Sequence, residues 1–453
     1  MTRRLLLLLV VLLLLGAPAL AMTFACVGKS CARTEVAEAH VPFCSLPSEA
    51  PTLLENGFYK GRSPDAFAFA KNPSIWGWAG TKPAGADAPW PYSGQVVAAG
   101  RVPIVLWGDG VQTRARLPTG TELDQIAPTL ASIIGLERGH PEVRAGTAVP
   151  GAAKTAHPRL GLMVGVKTFA DLTQEGESPR LPPEWKYLGQ LAKDGASTLQ
   201  GGMGSLPVDS AAALTTMGTG GLPSQHGITG SVVRNNAGDL VEAWGKDSPV
   251  PVIAALGDDL DHNRNEKPLV GMVATGVTDR GLIGGNWYIG SDVDRFRVAA
   301  PSKVANTVDG ILASGLGSDA TTDLLGVTLD GSNPAQADRQ LEQIVEAARR
   351  ASGGSLTVAV AAVGYQARKP ELPGGVSANH VVQQVESAVG SPVVQTAVPG
   401  GLFLDQQVLA DRQIPAGRVV QALKSVTAPG TNGSLMQDAY PAFAVSFARY
   451  CSK

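Results

Sequence analysis

From Leu160 onwards, short apolar runs alternate with segments of helical pattern. The apolar runs are LGLMVGV from Leu160, PLVGMVAT from Pro268, DLLGVTLD from Asp323 and SLTVAVAAV from Ser355. Helical patterns lie between them, around Trp185–Lys193 and over Ala335–Arg350. Buried strands separated by helices are typical of a parallel sheet that is covered on both faces. The sequence therefore predicts an α/β fold with a mostly parallel central sheet.

The composition is that of a large folded protein without a nucleic-acid partner. The chain has 453 residues, of which 44% are hydrophobic and 17% charged, and its formal net charge is −2. One elaborated α/β domain or two closely joined domains fit this length. Because no basic stripe is present, we exclude nucleic-acid binding.

The N-terminus has the pattern of a secretory signal. Arg3 and Arg4 precede a leucine-rich apolar run, and small residues follow up to Ala21. The pattern predicts a signal peptide over residues 1–21, cleaved after Ala21, and a secreted or extracytoplasmic location. The apolar run is shorter than the roughly 20 residues of a spanning helix, so no membrane span is expected after cleavage, with a retained anchor as the alternative.

A second informative stretch, LPVDSAAALTTMGTGGLPSQHGITG, begins at Leu206. Ser210 opens an apolar run that predicts a short buried helix. A serine hydroxyl becomes a nucleophile only when a base, a helix dipole or a metal activates it. Serine is also a preferred helix cap. The residues alone leave Ser210 as either a nucleophile or a cap.

The register of this stretch is more specific than any single motif in it. Its marker residues are Pro207, Ser210, Thr215–Thr216, Thr219–Gly220, Pro223 and His226–Gly227–Ile228. It resembles the alkaline-phosphatase superfamily, in the type I phosphodiesterase/nucleotide-pyrophosphatase branch. The resemblance implies a three-layer α/β sandwich, places Ser210 at the nucleophile position, and gives Thr215, Thr216 and His226 a place in the motif loop, with a structural role for His226.

An upstream segment resembles the closing part of the same superfamily. Residues 102–146 contain VPIVLWG followed by DQIAPT, whereas the family has a VPL-x-x-WG strand and a DIAPT helix after the nucleophile. The order implies circular permutation; the alternative is an ordinary apolar helix after a strand. We therefore expect Val102–Leu106 to share a sheet with Leu160–Val164 and Leu356–Val360.

The permuted order gives a domain organisation. After the signal peptide, residues 22–57 would form a cysteine-containing arm and residues 58–453 a single domain. Within it, residues 58–148 would match the C-terminal part of the family, 149–159 would be a linker, and 160–453 would match the N-terminal and middle parts. Such permutation is tolerated at exposed connections.

The chain has an even number of cysteines, Cys26, Cys31, Cys44 and Cys451. Two disulfides are expected in an exported chain, and no CxxC spacing supports a zinc site instead. Permutation would place the new N- and C-termini close together. It implies that a disulfide between Cys451 and Cys44 links them, which leaves Cys26 to pair with Cys31. This long-range bond would stabilise the fold by about 4–5 kcal/mol. Non-reducing peptide mapping should show it, and a free Cys451 thiol would contradict the pairing.

The resemblance also implies where metal ligands would stand, and apolar residues occupy most of those positions. The residues at the implied ligand positions are Val164, Pro334, Ala362 and Val363. Asp330 matches one carboxylate of the family pattern. Ala213 stands where the family usually has an asparagine. Carbon side chains cannot donate a lone pair to a cation. No metal site and no cofactor are therefore expected, with zinc present only if the chain is an active hydrolase.

The densest polar cluster is Asp258–His262, with three carboxylates and an imidazole. It could hold an ion, but its spacing matches no calcium loop. We interpret it as a solvated helix end.

The sequence therefore favours a secreted, catalytically degenerate member of this superfamily that acts as a binding or scaffold protein. Its partner would be an unknown anionic ligand or a protein. One alternative is an active hydrolase of phosphoesters, phosphodiesters or sulfate esters with Ser210 as nucleophile. Another is a structural protein of the cell envelope.

Overall fold

The computed structural model describes residues 46, 49–71, 74–77, 90, 101–169, 179–265, 267–285, 287–288, 294–364, 372 and 375–445. All of them lie in one compact unit of the chain, Pro42–Lys453. Within these residues, no helix has the length and apolar character that crossing a membrane requires.

The strands are β1 (Ala66–Ala70), β2 (Ile75–Trp76), β3 (Val102–Gly108), β4 (Ala115–Arg116), β5 (Leu160–Lys167), β6 (Ala196–Gly201), β7 (Val232–Arg234), β8 (Leu240–Glu242), β9 (Val270–Ala274), β10 (Arg295–Val298), β11 (Asp323–Asp330), β12 (Leu356–Ala362), β13 (Val376–Ser377), β14 (Val394–Val398), β15 (Gly401–Leu404) and β16 (Met436–Pro441).

The α-helices are α1 (Ala50–Gly57), α2 (Ile126–Ile134), α3 (Lys186–Asp194), α4 (Ser210–Thr219), α5 (Pro223–His226), α6 (Leu256–Asn263), α7 (Val304–Leu312), α8 (Pro334–Ala351), α9 (Ala378–Val389), α10 (Gln406–Asp411), α11 (Ala416–Lys424) and α12 (Ala442–Val445). Short 3₁₀ turns cover Leu123–Gln125, Pro141–Val143, Val277–Leu282 and Pro301–Lys303.

The central sheet has eight strands in the order β10-β9-β11-β5-β12-β3-β6-β4. The five strands from β10 to β12 are all parallel, and β3 joins β12 antiparallel. Strands β5, β11 and β12 are buried along nearly their whole length, as expected for strands covered on both faces. The predicted α/β fold with a mostly parallel central sheet is confirmed.

Helices cover both faces of this sheet. On one face, Gly165 of β5 packs directly against Leu214 of α4, and a Cβ at this position would clash with that leucine. Leu160 lies five residues earlier in the same strand, so its side chain is on the opposite face. There Leu160 and Ser352, which follows α8, both lie within 3.6 Å of the point that a Cβ on Gly317 would occupy. The missing side chain of Gly165 thus lets α4 approach the sheet.

The position of β3 agrees with one expectation from the permuted order. Val105 pairs with Val360 of β12, and Val360 also pairs with Val164 of β5. The segment Val102–Leu106 therefore shares a sheet with Leu160–Val164 and Leu356–Val360, as predicted. Circular permutation itself stays a prediction.

A second, smaller sheet has the order β14-β15-β1-β16 and is antiparallel throughout. It has its own apolar core, to which Val385 of α9 and Val420 of α11 contribute. Strand β1 therefore pairs with strands close to the C-terminus, and not with the central sheet. Helix α1 lies within the expected N-terminal arm. Its Leu54 packs with Phe67 of β1 and Tyr440 of β16 in a separate apolar cluster.

Candidate functional site

Ser210 is the first residue of α4 and lies at the carboxyl end of the central strands. Gly364 lies two residues after the end of β12. The Ser210 Oγ is so close to Gly364 that it lies 2.8 Å from the point that a Cβ on this glycine would occupy. The same point on Gly364 is 3.5 Å from the backbone nitrogen of Thr168, which follows β5. The hydroxyl thus lies at the edge of the sheet where α/β proteins place their ligands.

The helix cap is Asp209, and the interpretation of Ser210 as the cap is wrong. Asp209 has extended backbone angles, and its Oδ1 accepts a hydrogen bond of 2.8 Å from the backbone nitrogen of Ala211. Both carboxylate oxygens also accept from the Ser231 hydroxyl, at 3.0 and 2.9 Å. A carboxylate at this position satisfies the helix N-terminus better than the following serine can.

The surroundings of Asp209 act on its ionisation in opposite directions. Burial raises the pKa of Asp209, and the hydrogen bonds from Ser231, Ala211 and Ala212 lower it. The first N–H groups of α4 are therefore already engaged by an acidic side chain of the protein itself. An exogenous anion at Ser210 would have to share them with that carboxyl group.

His226, Thr216 and Ile228 form a closed hydrogen-bonded unit in the motif loop. The backbone nitrogen of Ile228 donates to Nδ1 of His226 at 3.1 Å, so the proton of the neutral ring is on Nε2, which lies 3.1 Å from Thr216 Oγ1. Burial, with a smaller contribution from the positive charge of Arg62, lowers the pKa of His226 to about 3. The neutral ring ties the loop to α4 and has no exposed surface for a ligand.

Thr215 is also enclosed within the protein. Its hydroxyl donates to the carbonyl of Ala211 at 2.8 Å and accepts from Trp244 Nε1 at 3.3 Å. Gly281 packs so closely on Thr215 that a Cβ there would overlap the threonine side chain. Of the motif residues considered for binding, Ser210 alone is partly exposed, since Thr215, Thr216 and His226 are all buried.

The four positions at which the resemblance implies metal ligands are not all at strand ends. Val164 is buried inside β5, which continues for three more residues, to Lys167. Pro334 is the first residue of α8. Ala362 ends β12, and the backbone nitrogen of the following Val363 donates to the Val166 carbonyl at 2.9 Å. Ala362 and Val363 are buried and present only apolar side chains next to the Ser210 edge.

The charge at the end of β5 belongs to Lys167, which the sequence analysis did not single out. Its Nζ lies 2.9 Å and 3.0 Å from the two carboxylate oxygens of Asp279, a side chain that is 1% exposed. Asp279 Oδ2 also accepts from both the backbone and hydroxyl of Thr275, at 3.0 and 2.9 Å, and from the Thr328 hydroxyl at 2.7 Å. We call this group the Lys167–Asp279 cluster.

The Lys167–Asp279 cluster joins the ends of three parallel strands, because Thr275 follows β9 and Thr328 is in β11. The sequence signal was present, since Lys167 is the charge that closes an apolar run. It was missed because the resemblance directed attention to Val164, three residues earlier in the same strand, as the position of a metal ligand. Asp330, the last residue of β11, accepts a hydrogen bond of 2.9 Å from the backbone nitrogen of Ser332.

The interpretation of the Asp258–His262 segment as a solvated helix end is wrong for its three carboxylates, whereas His262, close to the end of α6, is exposed. Asp258, Asp259 and Asp261 are 4%, 0% and 5% exposed. Asp258 caps α6 by accepting from the backbone nitrogen of Ala255 at 2.8 Å. Buried carboxylates are tolerated when they are paired and hydrogen-bonded. The partners come from elsewhere in the sequence, which is why the segment alone suggested a solvent-exposed position.

Asp259 has two arginine partners. Its Oδ2 lies 2.6 Å from Arg138 Nε and 3.3 Å from Arg144 Nη2. Both arginines also donate to the carbonyl of Thr219, at 2.9 and 3.1 Å, where cations stabilise the C-terminus of α4. The cluster is therefore attached to the opposite end of α4 from Ser210.

Two further expectations concern metal sites and disulfides. In the part of the chain that the structure describes, no group of three or more His, Cys, Asp or Glu side chains could hold a metal ion. Cys26, Cys31, Cys44 and Cys451 lie outside the described residues. Their pairing stays a prediction.

Comparison with known proteins gives only distant structural similarity. No protein-family model matches the chain, and no curated protein matches it. Among solved structures, the chain is similar to the crystal structure of wild-type alkaline phosphatase PafA, with a TM-score of 0.40 and 14% identity. The similarity covers 59% of this chain and 76% of that one. At this distance the comparison transfers neither an activity nor residue roles to the chain.

Proposed function

We propose that the chain is a catalytically degenerate member of the alkaline-phosphatase superfamily that acts by binding a partner. Two features support this proposal: the motif register from Pro207 to Gly227, and the location of Ser210 at the carboxyl edge of a mostly parallel sheet. The pattern of the first 21 residues supports export, so we propose that it acts outside the cytoplasm.

The observation that carries the proposal is the engagement of the acidic groups around Ser210. Asp209 is bound by Ser231 and the helix backbone, and Asp279 is bound by Lys167. Within the described residues, no side chain forms a hydrogen bond with the Ser210 hydroxyl. A serine without a base or a metal remains a weak nucleophile. In the part of the chain that the structure describes, the hydroxyl of the family motif is thus retained without a side-chain base or a cluster of metal ligands beside it.

The same geometry bears on the kind of partner. An anion at the start of α4 would meet the carboxyl group of Asp209, which already accepts from Ala211. The neutral residues Ala362 and Val363 offer no charge to compensate. A protein partner or an uncharged ligand therefore fits this edge better than a phosphate or sulfate group does.

We expect purified protein to bind less than one equivalent of zinc. It should show no zinc-dependent turnover of aryl phosphates, phosphodiesters or sulfate esters, and Ser210→Ala should leave any residual turnover unchanged. In a working enzyme, loss of the attacking hydroxyl should instead remove most of a rate enhancement of about a million-fold or more. Metal analysis and steady-state assays with added zinc provide the measurement.

Ser318→Ala is the matched control, because Ser318 is an exposed serine whose hydroxyl bonds only to the nearby Gly315 carbonyl. Zinc-dependent turnover that is lost in Ser210→Ala and kept in Ser318→Ala would overturn the degenerate function. It would show that carboxylates such as Asp330 take part in the reaction.

A further inference from the structure

An apolar cavity of about 350 Å³ opens on the surface close to Asp259 and its partners Arg138 and Arg144. Its apolar wall is formed by Val143, Val252, Ile253, Ala254, Trp287 and Tyr288. Val143, Val252 and Trp287 each expose 40% of their surface. Large apolar side chains grouped at the surface of a soluble protein mark binding sites more often than isolated ones do.

The cavity is separate from the Ser210 edge of the sheet. Arg144, which also lines it, donates to the Thr219 carbonyl at the C-terminal end of α4. Ser210 is at the other end of this ten-residue helix, about 15 Å away along its axis. The two regions can therefore be tested independently.

Asp259 holds three wall segments of the cavity in place. One oxygen accepts from the Tyr288 hydroxyl at 3.0 Å, and the other lies 3.3 Å from Arg144 Nη2. The third segment is fixed through the carbonyl of Ala254, which accepts from Arg138 at 3.0 Å, and Arg138 in turn bonds to Asp259. All three connections are buried or partly buried, so they tie the wall segments to one another through Asp259. Small-molecule sites are usually largely pre-formed.

The Tyr288 ring is fixed from a second side. It stacks on the His262 ring with 3.9 Å between the centroids and 7° between the planes. Trp287 is held through its backbone nitrogen, which donates to Asp258 at 3.3 Å. The cavity therefore presents the Tyr288 ring, held on two sides, and the Trp287 ring on an anchored backbone. Aromatic rings prefer to pack on other rings.

The polar groups at the cavity favour an uncharged ligand. The guanidinium of Arg144 donates from all three of its nitrogens to carbonyls or to Asp259. Gln225 accepts through Oε1 from the backbone nitrogens of Ala145 and Leu222, at 3.0 and 2.9 Å. Among the described residues its amide nitrogen has no acceptor at the cavity, so it can donate to a ligand. The second basic side chain of the lining, His140, already contacts Glu142 at 3.2 Å. A charged ligand would therefore lose hydration among apolar walls while competing with existing ion-pair partners.

We propose that this cavity is a binding site for an uncharged aromatic compound of one or two rings. The volume lies at the lower end of the range of about 300–1,000 Å³ that is usual for small-molecule sites. Trp287 and Tyr288 contact the rings, and Val252 and Ile253 exclude water. In a ligand that carries an acceptor group, Gln225 orients that group, but ring binding itself does not require it. The site goes beyond the proposed function at Ser210, since it needs no catalytic group.

Indole is a suitable probe, with binding measured by saturation-transfer difference NMR and calorimetric titration of the full chain. We expect saturable binding, and we expect Val252→Glu to weaken it at least tenfold because the new carboxylate would lose hydration in the wall. Val298→Glu is the matched control: Val298 is 56% exposed on β10 and is not part of the cavity. Thermal unfolding of both variants verifies that they fold.

Tyr288→Phe adds a second variant, which keeps the ring and removes the bond to Asp259. It should weaken indole binding about threefold or more. Binding that is absent up to millimolar indole, or equal in Val252→Glu and wild type, would overturn the proposal. Loss of self-association in Val252→Glu without any indole binding would identify the cavity as a protein contact and overturn it as well. None of these outcomes depends on the zinc and turnover assays.

Discussion

Replacing Lys167 by methionine should lower the free energy of unfolding by about 3–5 kcal/mol, which is the usual cost of removing one partner of a buried ion pair. Asp279 is 1% exposed and sits opposite the Lys167 ammonium at 2.9 and 3.0 Å. Without the Lys167 ammonium, the Asp279 carboxylate keeps its hydrogen bonds from threonine and backbone donors but loses the positive charge that compensates it. Urea denaturation monitored by circular dichroism provides the measurement.

The double variant Lys167→Met with Asp279→Asn separates the charge effect from packing. It removes both charges, while the amide oxygen of the introduced asparagine can still accept from Thr275 and Thr328, so most of the lost stability should return. Lys193→Met is the control, because Lys193 is exposed and should change stability by about 0.5 kcal/mol or less. If the double variant were no more stable than Lys167→Met, the charge of Asp279 would not be the cause.

The central sheet could be predicted from the sequence because its strands are buried on both faces. Continuous apolar runs, such as those that became β11 and β12, have few alternatives once helical segments flank them. The helix expected over Ala335–Arg350 is found at Pro334–Ala351. Local pattern was sufficient for these elements since their burial is uniform along the chain.

The second sheet could not be predicted in the same way. Strand β1 pairs with β15 and β16, which lie more than 300 residues later in the sequence. No local pattern specifies such a pairing, since β-pairing depends on partners that are distant in the chain. The sequence order therefore did not indicate which sheet β1 joins.

The polar groups were the least predictable part of the candidate site. Asp209 and Ser210 are adjacent, and sequence preferences rank both as good helix caps, so only the backbone geometry shows that Asp209 takes this role. Asp259 was assigned to solvent because its arginine partners are more than 110 residues away in the sequence. Burial of a charge is decided by its partners, and these are a property of the fold.

A carboxyl group in the DQIAPT segment carries the second large prediction. Asp124 is 5% exposed, and its Oδ1 is buried without a hydrogen-bond partner within the described residues. Burial, followed by the nearby charge of Glu122, raises the pKa of Asp124 from 3.8 to about 7. The folded protein therefore holds a proton at pH values where the unfolded chain has released it.

The sign of the pH effect follows from this raised pKa. Between pH 4 and pH 7 the folded state binds more protons at Asp124 than the unfolded state does, so this group makes the protein less stable as the pH rises. Asp124→Asn mimics the neutral form at every pH. The variant should therefore be more stable than wild type by up to about 4 kcal/mol at pH 8, and by less than about 1 kcal/mol at pH 4.

Urea denaturation of both proteins at several pH values between 4 and 8 measures this difference. Comparing the variant with wild type cancels the contributions of most other titrating groups, although Glu122, whose own pKa is raised by burial, should also shift when its neighbour loses the charge. Asp309→Asn serves as the control for the substitution itself, since Asp309 is exposed on α7 and its variant should stay within about 0.5 kcal/mol of wild type. A difference between Asp124→Asn and wild type that stays constant from pH 4 to pH 8 would show that Asp124 is ionised in the folded protein throughout this range, and that its buried oxygen is compensated by a group outside the described residues.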